Sequence, residues 1–189
     1  MPCGINFERG NIVVMLRKTK YSDLEIVEKI LEDGKKFLKE QNINQWQHGS
    51  LSIEDIKNDI KEKTAFVYEL ENKVVATLKL ANYDFDYEKS TLWSTSEKYL
   101  ALHRFAVLKS ARKKGVAKQI LFSIIEYAKN NNIKSIKVDT HKDNIIMRRF
   151  LTNFGFRELG EITLSIKNNL DDKKRIAYEF KIEKAIINL

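Results

Sequence analysis

The chain has one cysteine, Cys3, and one proline, Pro2, and no apolar run close to the length of a membrane-spanning helix. A lone cysteine excludes an internal disulfide, which fits a reducing compartment. A bilayer-crossing helix needs about 20 apolar residues in succession. The opening MPCGINFERGN lacks the apolar core of a signal peptide and carries an early acid. These absences predict a cytosolic protein that does not enter a membrane. Three scattered histidines and one cysteine offer no metal-ligand spacing, so no metal is expected. Zinc-finger spacing, a helix-turn-helix signature and an RNA-binding aromatic motif are also missing, so nucleic acid is not an expected partner.

What is present fits a folded domain. The 189 residues are 43% hydrophobic and 32% charged, enough for one domain with a real core. The net charge of +8 is spread along the chain rather than blocked. It suits an anionic ligand, and equally a lysine-rich solubilising surface.

The pattern of apolar residues predicts an N-terminal tail over residues 1–11 and one domain over residues 12–189. Ile12 to Arg17 reads as a first strand. Ser22-Asp23-Leu24-Glu25 is a capping-box pattern opening a helix that carries Leu24, Val27, Leu31 and Leu38 near one face. A polar loop around Trp46 follows, then a short helix from Ser52. Ala65–Leu70 and Val74–Leu80 read as a hairpin. Residues 82–98 are irregular, with Tyr83, Phe85, Tyr87 and Trp93 among acids and serines. They line a pocket or fold back on the core. Tyr99–Leu108 is the next strand and Gly115–Asn131 the central helix, with Val116, Ala117, Ile120, Leu121, Ile124, Ile125 and Ala128 on its buried face. A strand at Ile133–Asp139 and a helix at Asn144–Asn153 come next, the helix closing on Gly155 as a left-handed cap. Phe156–Ile166 and Arg175–Ile182 form a final hairpin. Strands alternating with helices before a terminal hairpin predict an α/β (α+β) domain, with helices packed on a mixed, mostly antiparallel sheet.

The segment Leu102–Lys118 is a strand, a short basic turn with Gly115, and a helix start. The first N–H groups of a helix lack intrahelical acceptors, and the helix dipole favours negative charge there. Arg112, Lys113, Lys114 and Lys118 add cations to the same spot. The geometry predicts a phosphate-bearing small molecule.

Arg112-Lys113-Lys114-Gly115-Val116-Ala117 resembles the R/Q-x-x-G-x-G/A signature of the GCN5-related N-acetyltransferases, placed after a strand ending Phe105-Ala106-Val107. A second stretch, Asn144, Met147, Leu151 and Gly155-Phe156, is similar in spacing to that family's N-x-x-A-x-x-L-Y-x-x-x-G-F helix. Gln45-Trp46, His103-Arg104 and Asp139-Thr140-His141-Lys142-Asp143-Asn144 resemble a group of small bacterial members of undefined substrate. The resemblance spans nearly the whole chain.

The resemblance implies an N-acetyltransferase that moves acetyl from acetyl-coenzyme A directly to a primary amine, with a homodimer as one possible assembly. It places the pyrophosphate on the N–H groups of Lys114, Gly115, Val116, Ala117 and Lys118, with Arg112 and Lys113 in the same turn. It places the pantetheine arm along Phe105, Ala106 and Val107, with the Val107 N–H as oxyanion donor. It also brings Asn144 to the coenzyme, and an N-cap role for Asn144 is compatible. Two family features are missing. The usual acid tyrosine falls at Leu151, and the usual strand carboxylate at Ala101.

Period-two alternation places Ala101, His103, Phe105 and Val107 on one face. An imidazole titrates near neutrality, so His103 is a candidate base, with a packed structural histidine as the alternative. His141, after the following strand, is a second catalytic candidate. Gln45 and Trp46 are candidates to frame the acceptor, or a lid over core. Asp84, Asp86 and Glu97 attract a cationic amine or are solvated loop acids. The missing acid and base motivate one further reading, a non-catalytic acyl-coenzyme A sensor or scaffold.

Overall fold

Among the described residues, eight strands form one sheet, in chain order except that the last strand lies inside the one before it. The computed structural model describes residues 4–9, 12–49, 51–166 and 169–182. The strands are β1 Gly4–Arg9, β2 Ile12–Lys18, β3 Ala65–Leu70, β4 Lys73–Ala81, β5 Tyr99–Val107, β6 Ser135–Thr140, β7 Arg157–Thr163 and β8 Lys174–Lys181. The helices are α1 Leu24–Glu40, α2 Ile53–Lys61, α3 Phe85–Lys89, α4 Val116–Asn130 and α5 Ile145–Phe154. β5 and β6 pair in parallel, and every other described pairing is antiparallel. The sheet is mixed and mostly antiparallel, as expected.

Two apolar layers cover it. On one face Ile120, Leu121, Ile124 and Ile125 of α4 bury against Phe66, Leu78, Leu100, Leu102 and Val138. On the other, Val27, Ile30 and Leu31 of α1 and Ile56 of α2 meet Val67 and Ala106. Each fully buried side chain of this size contributes about 1.5–3 kcal/mol of transfer free energy.

Three local expectations change. Part of the expected N-terminal tail, Gly4–Arg9, is a strand paired with β2; its alternating Ile5 and Phe7 suit that state. The Ser22 capping box does not open α1. A 3-10 turn at Tyr21–Asp23 precedes the helix, and the Asp23 carboxylate accepts the Lys20 N–H at 2.7 Å while pairing with Arg17. The irregular stretch 82–98 contains α3, capped by Asp84. Tyr87 of α3 is fully buried, whereas Tyr83 and Phe85 are exposed, so the stretch both covers the sheet and presents aromatics to solvent. Ser52 does cap α2, by accepting the Asp55 N–H. Among the described residues no helix is long and apolar enough to cross a membrane.

Candidate functional site

The site begins where two parallel strands part. β5 pairs with β6 only from Tyr99–Ser135 to Leu102–Val138, although β5 continues to Val107. From His103 onward, β5 keeps β4 as its described strand neighbour. The Leu108 N–H donates to the Val75 carbonyl at 2.8 Å. The Ala76–Val107 pair is therefore of the non-hydrogen-bonded type, and the Val107 N–H and C=O turn away from β4. The carbonyl accepts Arg112 Nε at 2.8 Å. The N–H faces the side where β6 has diverged.

A bulge sets which side chains face which layer. Lys79 pairs with His103 and Thr77 with Ala106, so Arg104 and Phe105 together oppose Leu78. Arg104 has φ of +54°, a left-handed conformation unusual for a non-glycine residue. The extra residue reverses the alternation. Ala101 and His103 lie on the α3 side, Ala101 packed with Tyr87 and Ala177. Phe105 and Val107 pack into the opposite layer, where Phe105 lies 6.4 Å from Phe150 of α5. The expected common face for Ala101, His103, Phe105 and Val107 is thus corrected. Arg104 itself pairs with Asp59 of α2, which also binds Lys79 Nζ at 2.8 Å. Burial holds the Arg104 guanidinium below its ordinary value, and the charge of Asp55 offsets only part of that.

The basic turn then leads into α4. Gly115 is the N-cap, with φ of +76°. A Cβ there would meet nothing, so backbone conformation rather than crowding calls for glycine. The first intrahelical bond runs from the Gln119 N–H to the Gly115 carbonyl, which leaves the N–H groups of Val116, Ala117 and Lys118 pointing outward. Lys113, Lys114 and Lys118 are exposed beside them. This cradle fits a pyrophosphate. Arg112 turns inward instead, with its guanidinium 5.0 Å from the Phe37 ring of α1, and braces the turn. Asn144 caps α5 by accepting the Met147 N–H at 3.1 Å.

On the α3 side, His103 sits among acids. Its Nε2 lies 3.1 Å from Asp84 Oδ2 and its Nδ1 3.9 Å from Asp139 Oδ2. The Nε2–H is not aligned for a full hydrogen bond, so the Asp84 contact is chiefly electrostatic. Asp84 Oδ1 accepts the N–H groups of Asp86 and Tyr87. Burial would raise the Asp84 carboxyl; His103 and these two N–H groups outweigh it and hold it below the ordinary carboxylate range. The Tyr87 hydroxyl donates to Asp139 at 2.6 Å. Burial first, and Asp139 second, push this phenol well above its ordinary value. The buried Arg175 approaches the other Asp139 oxygen at 3.8 Å. Asp84 is therefore no solvated loop acid, and Asp139, which the sequence offered only within the stretch to Asn144, joins the His103 cluster. Asp86 binds the Ser165 N–H and hydroxyl, and Glu97 is exposed.

His141 lies in a different environment. It is 2% exposed, and both ring nitrogens are engaged. Nδ1 accepts the Asp143 N–H at 3.2 Å, which puts the proton on Nε2, 2.9 Å from Asp172. With no free lone pair, this imidazole is not placed to take a proton from an acceptor. Its main-chain N–H donates to Gln45 Oε1 at 3.3 Å. Trp46, at φ of +64°, lays its ring against Gly34 of α1, where an added Cβ would lie 3.4 Å from Cζ3. Gln45 and His141 therefore meet, while His103 belongs to a separate cluster with Asp84, Tyr87 and Asp139. Leu151 is fully buried in the core and Ala101 is equally enclosed, so neither position bears an acid or a base.

Comparison with known proteins gives the family and the fold. The model of the acetyltransferase (GNAT) family matches residues 31–156. Streptothricin acetyltransferase A of Bacillus subtilis is 29% identical over 115 residues, which cover 61% of this chain and 59% of that enzyme. The match thus spans less than two thirds of that relative. A GNAT-family acetyltransferase from Streptococcus agalactiae superposes with a TM-score of 0.78 at 22% identity, covering 89% of this chain and 95% of its own. Mycobacterium smegmatis RimJ, solved with a coenzyme A disulfide, superposes with a TM-score of 0.66 at 15% identity, covering 92% and 84%. With the divergent β5–β6 pair and the glycine-started α4 on one sheet, and a family model matching two thirds of its length, the chain belongs to the acetyltransferase (GNAT) family.

Proposed function

We propose that this protein transfers the acetyl group of acetyl-coenzyme A to a primary amine, with His103 as the base. The observation that carries the reading is the position of His103. It is the first residue of β5 beyond the last pair with β6, on the face opposite α4. A thioester lying in the parting of the strands would have its phosphates on the α4 side and its acyl carbon near His103.

Each residue then has a chemical task. The N–H groups of Val116, Ala117 and Lys118, with Lys113, Lys114 and Lys118, hold the pyrophosphate, while Arg112 fixes the turn. The strand edge from Phe105 to Val107 holds the pantetheine amides, and Asn144 caps the neighbouring helix. His103 removes a proton from the acceptor ammonium, and Asp84 and Asp139 stabilise the imidazolium that results. The amine nitrogen bonds to the acyl carbon, the C–S bond breaks, and the Val107 N–H donates to the developing oxyanion. The thiolate leaves without a tyrosine. A thiol of ordinary pKa, about 8.5, tolerates that. The second proton of the attacking nitrogen passes through water to the thiolate, so that amide and free thiol result. Gln45 and Trp46 frame the acceptor. Incubation with acetyl-coenzyme A and a panel of polyamines, amino acids, amine-bearing antibiotics and peptides with free N-termini, with detection of released thiol, tests the reading.

One observation favours a second reading, an acyl-coenzyme A sensor: Leu151 and Ala101 are both sealed in the core. Coenzyme binding without thiol release from any amine would support it.

A further inference from the structure

His141 is the buried meeting point of three segments that the acetyl-transfer reading assigns to opposite sides of the reaction. On the coenzyme side its Nδ1 accepts the Asp143 N–H, and its carbonyl accepts the N–H of Asn144, the cap of α5. On the acceptor side its N–H holds Gln45 Oε1. Its Nε2–H reaches Asp172 in the turn between β7 and β8. That turn grips the loop before α2. Asp172 Oδ1 accepts Asn44 Nδ2 at 3.0 Å, and the Asp172 N–H donates to the Asn44 carbonyl at 3.0 Å. Asp171 accepts the N–H groups of Gln47 and His48 at 2.9 and 3.2 Å. Between these attachments stands Trp46, in a left-handed conformation that costs a non-glycine residue energy and persists only where neighbours hold it.

We propose that His141 is a positioning residue that clasps the acceptor loop, residues 44–48, to the start of the coenzyme helix α5, and so sets the place of Gln45 and Trp46 relative to the thioester. The proposal rests on the acetyl-transfer reading for the word acceptor; the clasp itself does not. The two ring nitrogens serve the two sides separately, so they can be separated chemically. An asparagine amide oxygen reaches only as far as Nδ1, which keeps the Asp143 bond and loses Asp172. A glutamine amide reaches Nε2, which keeps Asp172 and loses Asp143.

Four proteins test this: wild type, His141→Asn, His141→Gln and the half-exposed Asp172→Ala. His141→Asn and Asp172→Ala are expected to speed amide exchange at Gln47 and His48 roughly tenfold, the scale of one lost hydrogen bond. They should raise the KM for the amine several-fold and leave acetyl-coenzyme A affinity within about twofold. His141→Gln should show the reverse: faster exchange at Asp143, weaker acetyl-coenzyme A binding, and a protected Gln47 and His48. The proposal is overturned if the three variants shift both affinities together in step with lost stability, or if Gln47 and His48 exchange at the wild-type rate in Asp172→Ala. Should no amine be turned over by wild type, the acetyl-transfer reading fails, and the exchange pattern with the coenzyme affinities still decides the clasp.

Discussion

His103 Nε2 lies 3.1 Å from Asp84 Oδ2, and Asp84 reaches that point because it caps the short helix α3. A loop residue is thereby fixed against the strand position where β5 leaves β6. The cap spends one carboxylate oxygen on the helix N–H groups and leaves the other for the imidazole. Asp139 faces the opposite ring nitrogen. This places the candidate base between two carboxylates at the mouth of the parted strands.

Replacement of His103 by alanine is expected to lower kcat by roughly 10²–10⁴, the usual worth of a positioned base. Acetyl-coenzyme A affinity should stay near wild type, because the phosphate cradle lies on the other face of the sheet. Steady-state kinetics with calorimetry checks both. Wild-type turnover would remove His103 as the base.

Asp84→Asn is expected to cost stability, with a pH dependence of definite sign. The native carboxyl sits below its ordinary value, so its contribution is complete above the unfolded value of about 3.9. It is lost as pH falls through the native value. The gap in urea midpoint between wild type and Asp84→Asn should therefore be full near neutrality and shrink below about pH 4. A gap that is constant down to strongly acid pH would mean that the charge contributes nothing.

At the phosphate turn, Gly115→Ala should destabilise by about 1–2 kcal/mol, the cost of a left-handed L-residue, since no neighbour obstructs the added methyl. The combined Lys114→Glu and Gly115→Glu change should abolish acetyl-coenzyme A binding. Calorimetry showing unchanged affinity in that variant would exclude the turn as the pyrophosphate site.

Leu151→Tyr should fail to restore an acid. The position is completely enclosed, so the larger ring should overpack the core and cost about 1–3 kcal/mol. Thermal denaturation measures the loss, and a rise in kcat would contradict this placement.

Most of this architecture was legible in the sequence, because the periods of strand and helix are written in its apolar residues. The α4 stripe and the glycine cap at 155 read directly, and Gly115 read as part of the phosphate turn though not as the left-handed cap of α4. The bulge did not. Its left-handed residue is Arg104, not a glycine or asparagine, so nothing in the pattern marks the extra residue, and a period-two count runs through it to the wrong face. The meeting of Asp84 and Asp139 at His103 was hidden for another reason. Their roles depend on which strands become neighbours and on a five-residue helix too short to show a period. His141 read as a catalytic candidate because its place after β6 is visible in the sequence, whereas its partner Asp172 comes from a distant hairpin.

The most direct test of acetyl transfer at His103 is mass analysis of primary amines after incubation with acetyl-coenzyme A, with wild type and His103→Ala side by side. Wild type is expected to give an acetylated amine and one free thiol per transfer, both falling at least about 100-fold in the variant. Tight coenzyme binding with no acetylated amine, or equal product from the two proteins, would contradict it.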